Sequence, residues 1–130
     1  RVEEAVDKVS ETIEKLKNQE YEPSDMGIFT TLTKPPEEYD STSPHVEAAR
    51  KAERRGDEIE PETTLEYVIT RGGGSISDRA ELVKYAESYD PDYYIDNQVV
   101  PAALRVLKVF DYTEGQLKGK GKQSGLGKFS

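Results

Sequence analysis

Val2, Val6, Val9, Ile13 and Leu16 recur at alternating steps of four and three. That spacing matches the 3.6-residue turn of an α-helix and lines all five side chains along one stripe, so the segment is expected to be an amphipathic helix with a single buried face. A chain that opens this way must supply a second apolar surface to cover the stripe. Apolar residues make up only 34% of the 130 residues, and charged residues another 34%. One modest core is therefore expected, with loose ends or burial against a partner making up for the scarcity of apolar side chains. The chain begins at Arg1 without an initiator methionine or an evident helix cap, which leads us to expect a processed product or a piece of something longer.

Further elements follow from local chemistry. Residues 19–43 are rich in proline, threonine and acids, and read as loop with one short element between Met26 and Leu32. A second helix is expected after Ser43, which can cap it. Pro44 suits its first turn, Val46, Ala49 and Ala52 give it a narrow apolar face, and Gly56 ends it. Thr64 to Thr70 alternates around Leu65, Tyr67 and Ile69 and is the best strand candidate, followed by the triple glycine 72–74. The last helix is expected to start at Asp90 and Pro91 and to turn Ile95, Val99, Ala102, Val106 and Phe110 inward. Pro101 falls in its middle, where it lacks a backbone donor and crowds the carbonyl of Asn97, so a kink or break is expected there. These elements predict a mostly α fold with a small β element, a short hairpin or strand pair. Residues 1–114 would form the folded domain and residues 115–130 a flexible tail.

Several function classes are excluded or narrowed by composition. There is no cysteine and one histidine, so no thiolate or histidine zinc site is expected, and a metal would have to rest on carboxylates alone. No apolar run approaches bilayer length and no secretory pattern opens the chain, so a cytoplasmic protein is expected. The net charge of −8 argues against nucleic acid, since duplex affinity rests on lysine and arginine neutralising phosphates. Its distribution softens the objection. Residues 1–62 carry 17 acids and 9 bases, residues 63–130 carry 9 of each, and nothing acidic follows Glu114. Lys118, Lys120, Lys122 and Lys128 stand among glycines in the tail.

Four stretches, in order, carry a resemblance. They are "VEEAVDKVSETIEKL", "TLTKPPEEYDSTSPHVEAARKAERRG", "IEPETTLEYVITRGGGSISDRA" and "DPDYYIDNQVVPAALRVLKVFDY". Together they resemble the thumb region of archaeal family B DNA polymerases over nearly the whole chain. The resemblance implies a right-handed enzyme whose palm carboxylates hold two metal ions, with magnesium expected there, whose fingers bind the nucleotide, and whose thumb wraps the primer-template duplex. Neither the palm motif nor the fingers helix occurs here, so no residue of this chain is expected to be catalytic or to bind metal, and the chain alone is expected to be inactive. The family includes split polymerases whose small subunit carries the carboxy-terminal part, which makes a separate polypeptide one expectation. Palm, fingers and duplex are the implied partners, and the nucleoid the implied location.

A thumb must hold any sequence and let it slide, so sequence-neutral phosphate contacts are what the resemblance implies. Thr33, Lys34, His45 and Arg50 match family positions of this kind. Tyr39 matches as well, but Asp40 stands where a base usually follows that tyrosine. Arg71 and Ser75 flank the glycine turn, and Arg79 follows Asp78. Tyr94 and Asn97 crowd one turn of the last helix. For His45 and Arg79 a purely structural role stands beside the contact. For the last helix the alternative is that one tyrosine packs inside while Asn97 and Gln98 repair backbone groups near Pro101.

Gln123, Leu126 and Phe129 sit at relative positions one, four and seven of "QSGLGKFS". This spacing is similar to the peptide by which archaeal replication proteins dock on the sliding clamp, although the usual second aromatic is replaced by Ser130. Two buried anchors would contribute about 3–6 kcal/mol before ordering costs, so micromolar binding at best is expected. An acidic helical scaffold with no DNA role is the competing reading. A metal-dependent nuclease built on Asp90, Asp92 and Asp96 is a third.

Overall fold

A computed structural model describes residues 2–108 of the chain. They fall into two compact units, one formed by the residues up to Tyr21 together with those from Pro91 onward, the other by Glu22–Asp90.

The first unit is helical. α1 (Val2–Lys17) follows the 4-3 stripe and buries Val6, Ser10, Ile13 and Leu16. Glu3 and Glu4 stand in its first turn, Lys15 and Lys17 in its last, the arrangement that complements the helix dipole. The returning chain runs through α3 (Pro91–Tyr94), a π turn (Ile95–Val99) and α4 (Val100–Leu107). Val6 and Leu107 form the centre of an apolar cluster flanked by Val2, Val9, Ala103 and Leu104.

The break expected near Pro101 takes the form of that π turn. Val100 donates its N–H to the carbonyl of Ile95, five residues back. Asn97 Nδ2 donates to the Tyr93 carbonyl at 2.9 Å, satisfying an acceptor in the turn before the π segment. The extra residue in the turn also rotates everything after it by about 100°. The inward positions are consequently Ile95, Val100 and Leu107, each 2% exposed or less, whereas Val106 is 66% exposed. The expected inward set of Val99, Ala102 and Val106 was therefore out of phase, because it was projected through Pro101 as if the turn were regular. Phe110 lies outside the described residues.

The second unit overturns the mostly α expectation. Its centre is a three-stranded antiparallel sheet in the order β1 (Ile28–Thr31), β2 (Thr64–Ile69), β3 (Ala80–Leu82). Ile28 pairs with Tyr67 on one side, and Tyr67 with Leu82 on the other. This unit is α+β rather than a helical body with a strand pair. The outer strands have four and three residues, too short for a two-residue alternation to be read from sequence. On β2 both Val68 and Ile69 are fully buried, as suits a central strand covered on both faces near its end.

α2 (Pro44–Arg54) packs on the sheet through Val46, Ala48, Ala49 and Ala52, all fully buried. Small residues let the helix approach the strands closely. Pro44 occupies its first turn as expected, but the Ser43 hydroxyl makes no capping bond and instead meets Ser41 Oγ at 3.0 Å. The carboxy-terminal end is a Schellman motif. Gly56 takes φ +109°, its N–H reaches the Glu53 carbonyl at 3.0 Å, and the Asp57 N–H reaches Ala52 at 3.1 Å.

Asp57 then ties this end to a single tight turn at Val83–Tyr85. It accepts from Tyr85 Oη at 2.9 Å and pairs with Lys84 Nζ at 2.9 Å. The hydrogen bonds from Lys84 and Tyr85 hold its carboxyl below the ordinary value of 3.8. A carboxyl depressed by folding adds stability above its unfolded pKa, and that stability is lost as pH falls through the folded one. In chemical denaturation across pH, the wild type is expected to lose stability below about pH 3.8, and Asp57→Asn to flatten that limb. An unchanged acid limb in the variant would remove the linkage.

Among the described residues no helix is long and apolar enough to cross a membrane.

Candidate nucleic-acid interface

The loop between β1 and α2 is drawn toward the start of the helix by one tyrosine. Tyr39 Oη accepts from the Thr33 backbone N–H at 2.9 Å and lies 3.3 Å from Thr33 Oγ1. These bonds from Thr33, with a smaller contribution from Lys34, lower the Tyr39 pKa from its ordinary value. Lys34 Nζ sits 4.9 Å from the centre of the same ring. On the other side the His45 imidazole meets Tyr39 edge to face, with centroids 6.5 Å apart, and lies 6.4 Å from the ring of Tyr67 on β2. Thr33, Lys34, Tyr39 and His45, distributed over thirteen positions, thus form one contiguous patch of hydroxyl, ammonium, phenol and imidazole. Tyr67 completes it, a residue the sequence reading left as a plain strand position.

Arg50 is brought to the same loop, but it faces the backbone. Nε donates to the Pro36 carbonyl at 3.2 Å, Nη2 donates to the Tyr39 carbonyl at 2.6 Å, and Nη1 lies 3.8 Å from Glu47 Oε1. Glu47 also pairs with Arg54 at 3.3 Å. This carboxylate stands in the first turn of α2 and offsets the positive dipole end that His45 occupies.

The glycine loop forms a second cluster. The Ser75 N–H donates to Asp78 Oδ2 and the Asp78 N–H to Ser75 Oγ, both at 3.1 Å. Gly74 takes φ +94°, and a Cβ there would come within 2.9 Å of the Asp78 carboxylate, so both its backbone and its neighbour require glycine. Arg79 Nε donates to the Ser75 carbonyl at 3.3 Å, and Nη1 pairs with Asp90. Asp78 thus holds the turn, and the Arg79 guanidinium is fixed by Asp90. Arg71 and Ser75 are exposed, and the Arg71 N–H donates to Ser88 Oγ at 3.3 Å.

In the helical unit, Tyr94 is only 1% exposed and packs edge to face on Tyr93 at 4.9 Å. The surface of that turn is presented by Tyr93 and Asn97. Gln123, Leu126 and Phe129 lie outside the described residues. Among the described residues no group of three or more histidine or carboxylate side chains is placed to hold a metal ion. Asp90, one member of the suggested nuclease set, has its carboxylate on Arg79.

An acyl-transfer site would need a nucleophile beside a base, and a metal-dependent phosphoryl-transfer site a carboxylate cage. The two clusters offer neither. They offer hydroxyls, the exposed cations Lys34 and Arg71, and backbone turns.

Comparison with known proteins defines the class. The family model described as DNA polymerase family B matches residues 1–110, and the chain belongs to that family. The particular relatives are archaeal. DNA polymerase 2 of Aeropyrum pernix is 46% identical over 127 residues, which cover 96% of this chain and 16% of that protein. The DNA polymerase of Pyrococcus glycovorans is 42% identical, covering 96% of this chain and 17% of its own, and that of Methanocaldococcus jannaschii is 38% identical. The solved family B DNA polymerase of Pyrobaculum calidifontis superposes with a TM-score of 0.70 at 42% identity, covering 80% of this chain and 14% of that one. The chain thus spans less than a fifth of the length of these relatives.

Proposed function

We propose that this chain is the thumb region of a family B DNA polymerase and holds primer-template duplex during replication, while palm and fingers come from other sequence. The observation that carries this reading is the convergence of Thr33, Lys34, Tyr39 and His45 on the start of α2. Drawn from three places in the sequence, they supply hydroxyl, ammonium and imidazole groups of the kind that can meet phosphate. Arg71 and Ser75 on the glycine loop, and Asn97 in the helical unit, are the further contacts proposed. Base readout has no part in it, since the groups on offer are those that meet phosphates in any sequence.

Catalysis and magnesium belong, on this reading, to the palm. The basic tail would dock on the sliding clamp through Gln123, Leu126 and Phe129. The rival, an acidic scaffold without a DNA role, draws on the net charge of −8.

Salt separates the two. If about four phosphates are contacted, log affinity for a primer-template duplex should fall against log salt with a slope of about −3.6. The titration is done with the chain alone and again with the remaining polymerase sequence added. Absence of duplex binding in both arrangements would leave the scaffold reading.

A further inference from the structure

Arg50 and Lys51 are neighbours in the middle of α2, about 100° apart around the helix axis, and each reaches a different loop. Arg50 spans to the Pro36 and Tyr39 carbonyls at 3.2 and 2.6 Å. Lys51 Nζ donates to the Asp78 carbonyl at 2.5 Å and to the Ala80 carbonyl at 2.9 Å, and lies 3.5 Å from Glu81 Oε2. Both side chains are about four-fifths buried, at 22% and 19% exposed. The acceptors are main-chain oxygens at the two places where the candidate contact clusters join the body: the Tyr39 turn and the foot of the glycine loop.

A base meant for phosphate keeps its donors toward solvent. These two turn them inward, onto carbonyls 11 to 29 residues away in sequence. We propose that Arg50 and Lys51 are positioning residues, a two-armed strut on α2 that sets the Tyr39 patch and the glycine loop in place together without touching DNA. The inference rests on the thumb reading above and deepens it. It also reassigns Arg50 from the set of direct contacts.

The chemistry of the two arms differs in a way that can be tested. Arg50 uses two separate nitrogens of a planar fork, on carbonyls three residues apart. Lysine keeps the charge but has no fork and cannot reproduce that geometry. A direct phosphate contact, by contrast, would keep its salt slope in Arg50→Lys, because lysine retains the charge, and would lose part of that slope in Arg50→Met. Loosening a strut lowers the fraction of molecules with the surface in place. It therefore scales affinity by a factor independent of salt, whereas losing a phosphate contact flattens the salt slope by about 0.9.

The experiment is a duplex titration over a range of salt for the wild-type chain, Arg50→Lys, Arg50→Met and Lys51→Met, with amide exchange on the same samples. All three variants are expected to bind about tenfold more weakly with the wild-type slope, on the order expected when a positioned state becomes a minor one. Exchange should speed up at Glu38 and Tyr39 in the Arg50 variants, whose amides close the turn onto Pro35 and Pro36. It should speed up at Arg79, bonded to Ile76, in Lys51→Met. A wild-type slope in Arg50→Lys together with a flattened slope in Arg50→Met would make Arg50 a phosphate ligand and overturn the proposal. So would unchanged exchange at those amides. If the wild type fails to bind duplex both alone and with the remaining polymerase sequence added, the thumb reading falls, and the exchange data still decide whether the strut exists.

Discussion

Ile69→Ala is expected to lower the unfolding free energy by about 2–5 kcal/mol, the range for emptying a fully buried aliphatic site. Ile69 is fully buried at the end of the central strand. It pairs with Ala80 on β3, and its carbonyl accepts the Asp90 N–H at 2.8 Å. The cavity would therefore open where three features meet: the β2–β3 ladder, the base of the glycine loop and the residue that holds Arg79. Alanine opposite alanine leaves nothing large enough to refill the space, so collapse onto the gap would require the strands themselves to move. Phe29 on β1 is the natural comparison. It is 70% exposed, and Phe29→Ala should cost no more than about 0.5 kcal/mol. Urea denaturation of both variants, followed by the signal of the sheet unit, reads the difference. Near-equal midpoints would mean that the sheet does not organise residues 22–90.

That contrast also shows what a sequence can and cannot disclose about such a chain. α1 was legible because its stripe runs from Val2 to Leu16 without a breaker. α2 was legible because proline, alanines and glycine each did one local thing at the expected place. Sheet content was underread for a physical reason. A strand of three residues is defined by its partner, not by its own pattern, and the partner of Ala80–Leu82 lies across the glycine loop. The last helix was misphased for another. Pro101 announced a distortion, but nothing local says whether the helix will kink, break or absorb one residue in a π turn. Only the last choice moves burial from Val99 to Val100 and from Val106 to Leu107.

For the candidate site the divide lies elsewhere. The types and order of Thr33, Lys34, Tyr39 and His45 were readable through resemblance. What the sequence could not convey was which bases are already occupied. Arg50, Lys51 and Arg79 look like free cations in a linear string. In the fold they serve the Pro36 and Tyr39 carbonyls, the Asp78 and Ala80 carbonyls, and Asp90. Partners of this sort are main-chain atoms or distant carboxylates and leave no signature beside the base. Counting lysines and arginines therefore overstates the charge available to a phosphate backbone, and the surplus of acids in the first 62 residues makes the shortage sharper. On the proposed thumb reading, the two candidate clusters draw on hydroxyls and placed loops as well as on Lys34 and Arg71, and so depend on the elements that place them.

Removing residues 123–130 is expected to abolish capture of the chain by a sliding clamp while leaving duplex affinity within about twofold. The tail is rich in lysine and glycine, so any specific affinity for a clamp is expected to come from its two apolar side chains. A single tight turn would bring Leu126 and Phe129 onto one side as a plug and leave Gln123 for the rim. Ordering that turn costs part of the about 3–6 kcal/mol that burying them contributes, so the contact should be micromolar and easily lost. Leu126→Ala with Phe129→Ala should therefore match the deletion. Lys128→Ala should only weaken capture at low salt, because an exposed charge is screened beyond about 10 Å at 0.1 M. The duplex arm needs the same samples. Lys128 is the only base among residues 123–130, so the salt slope should change by no more than about 0.9. Clamp capture that persists in the deletion would refute docking through this peptide. Duplex binding that collapses with it would instead make the tail part of the grip.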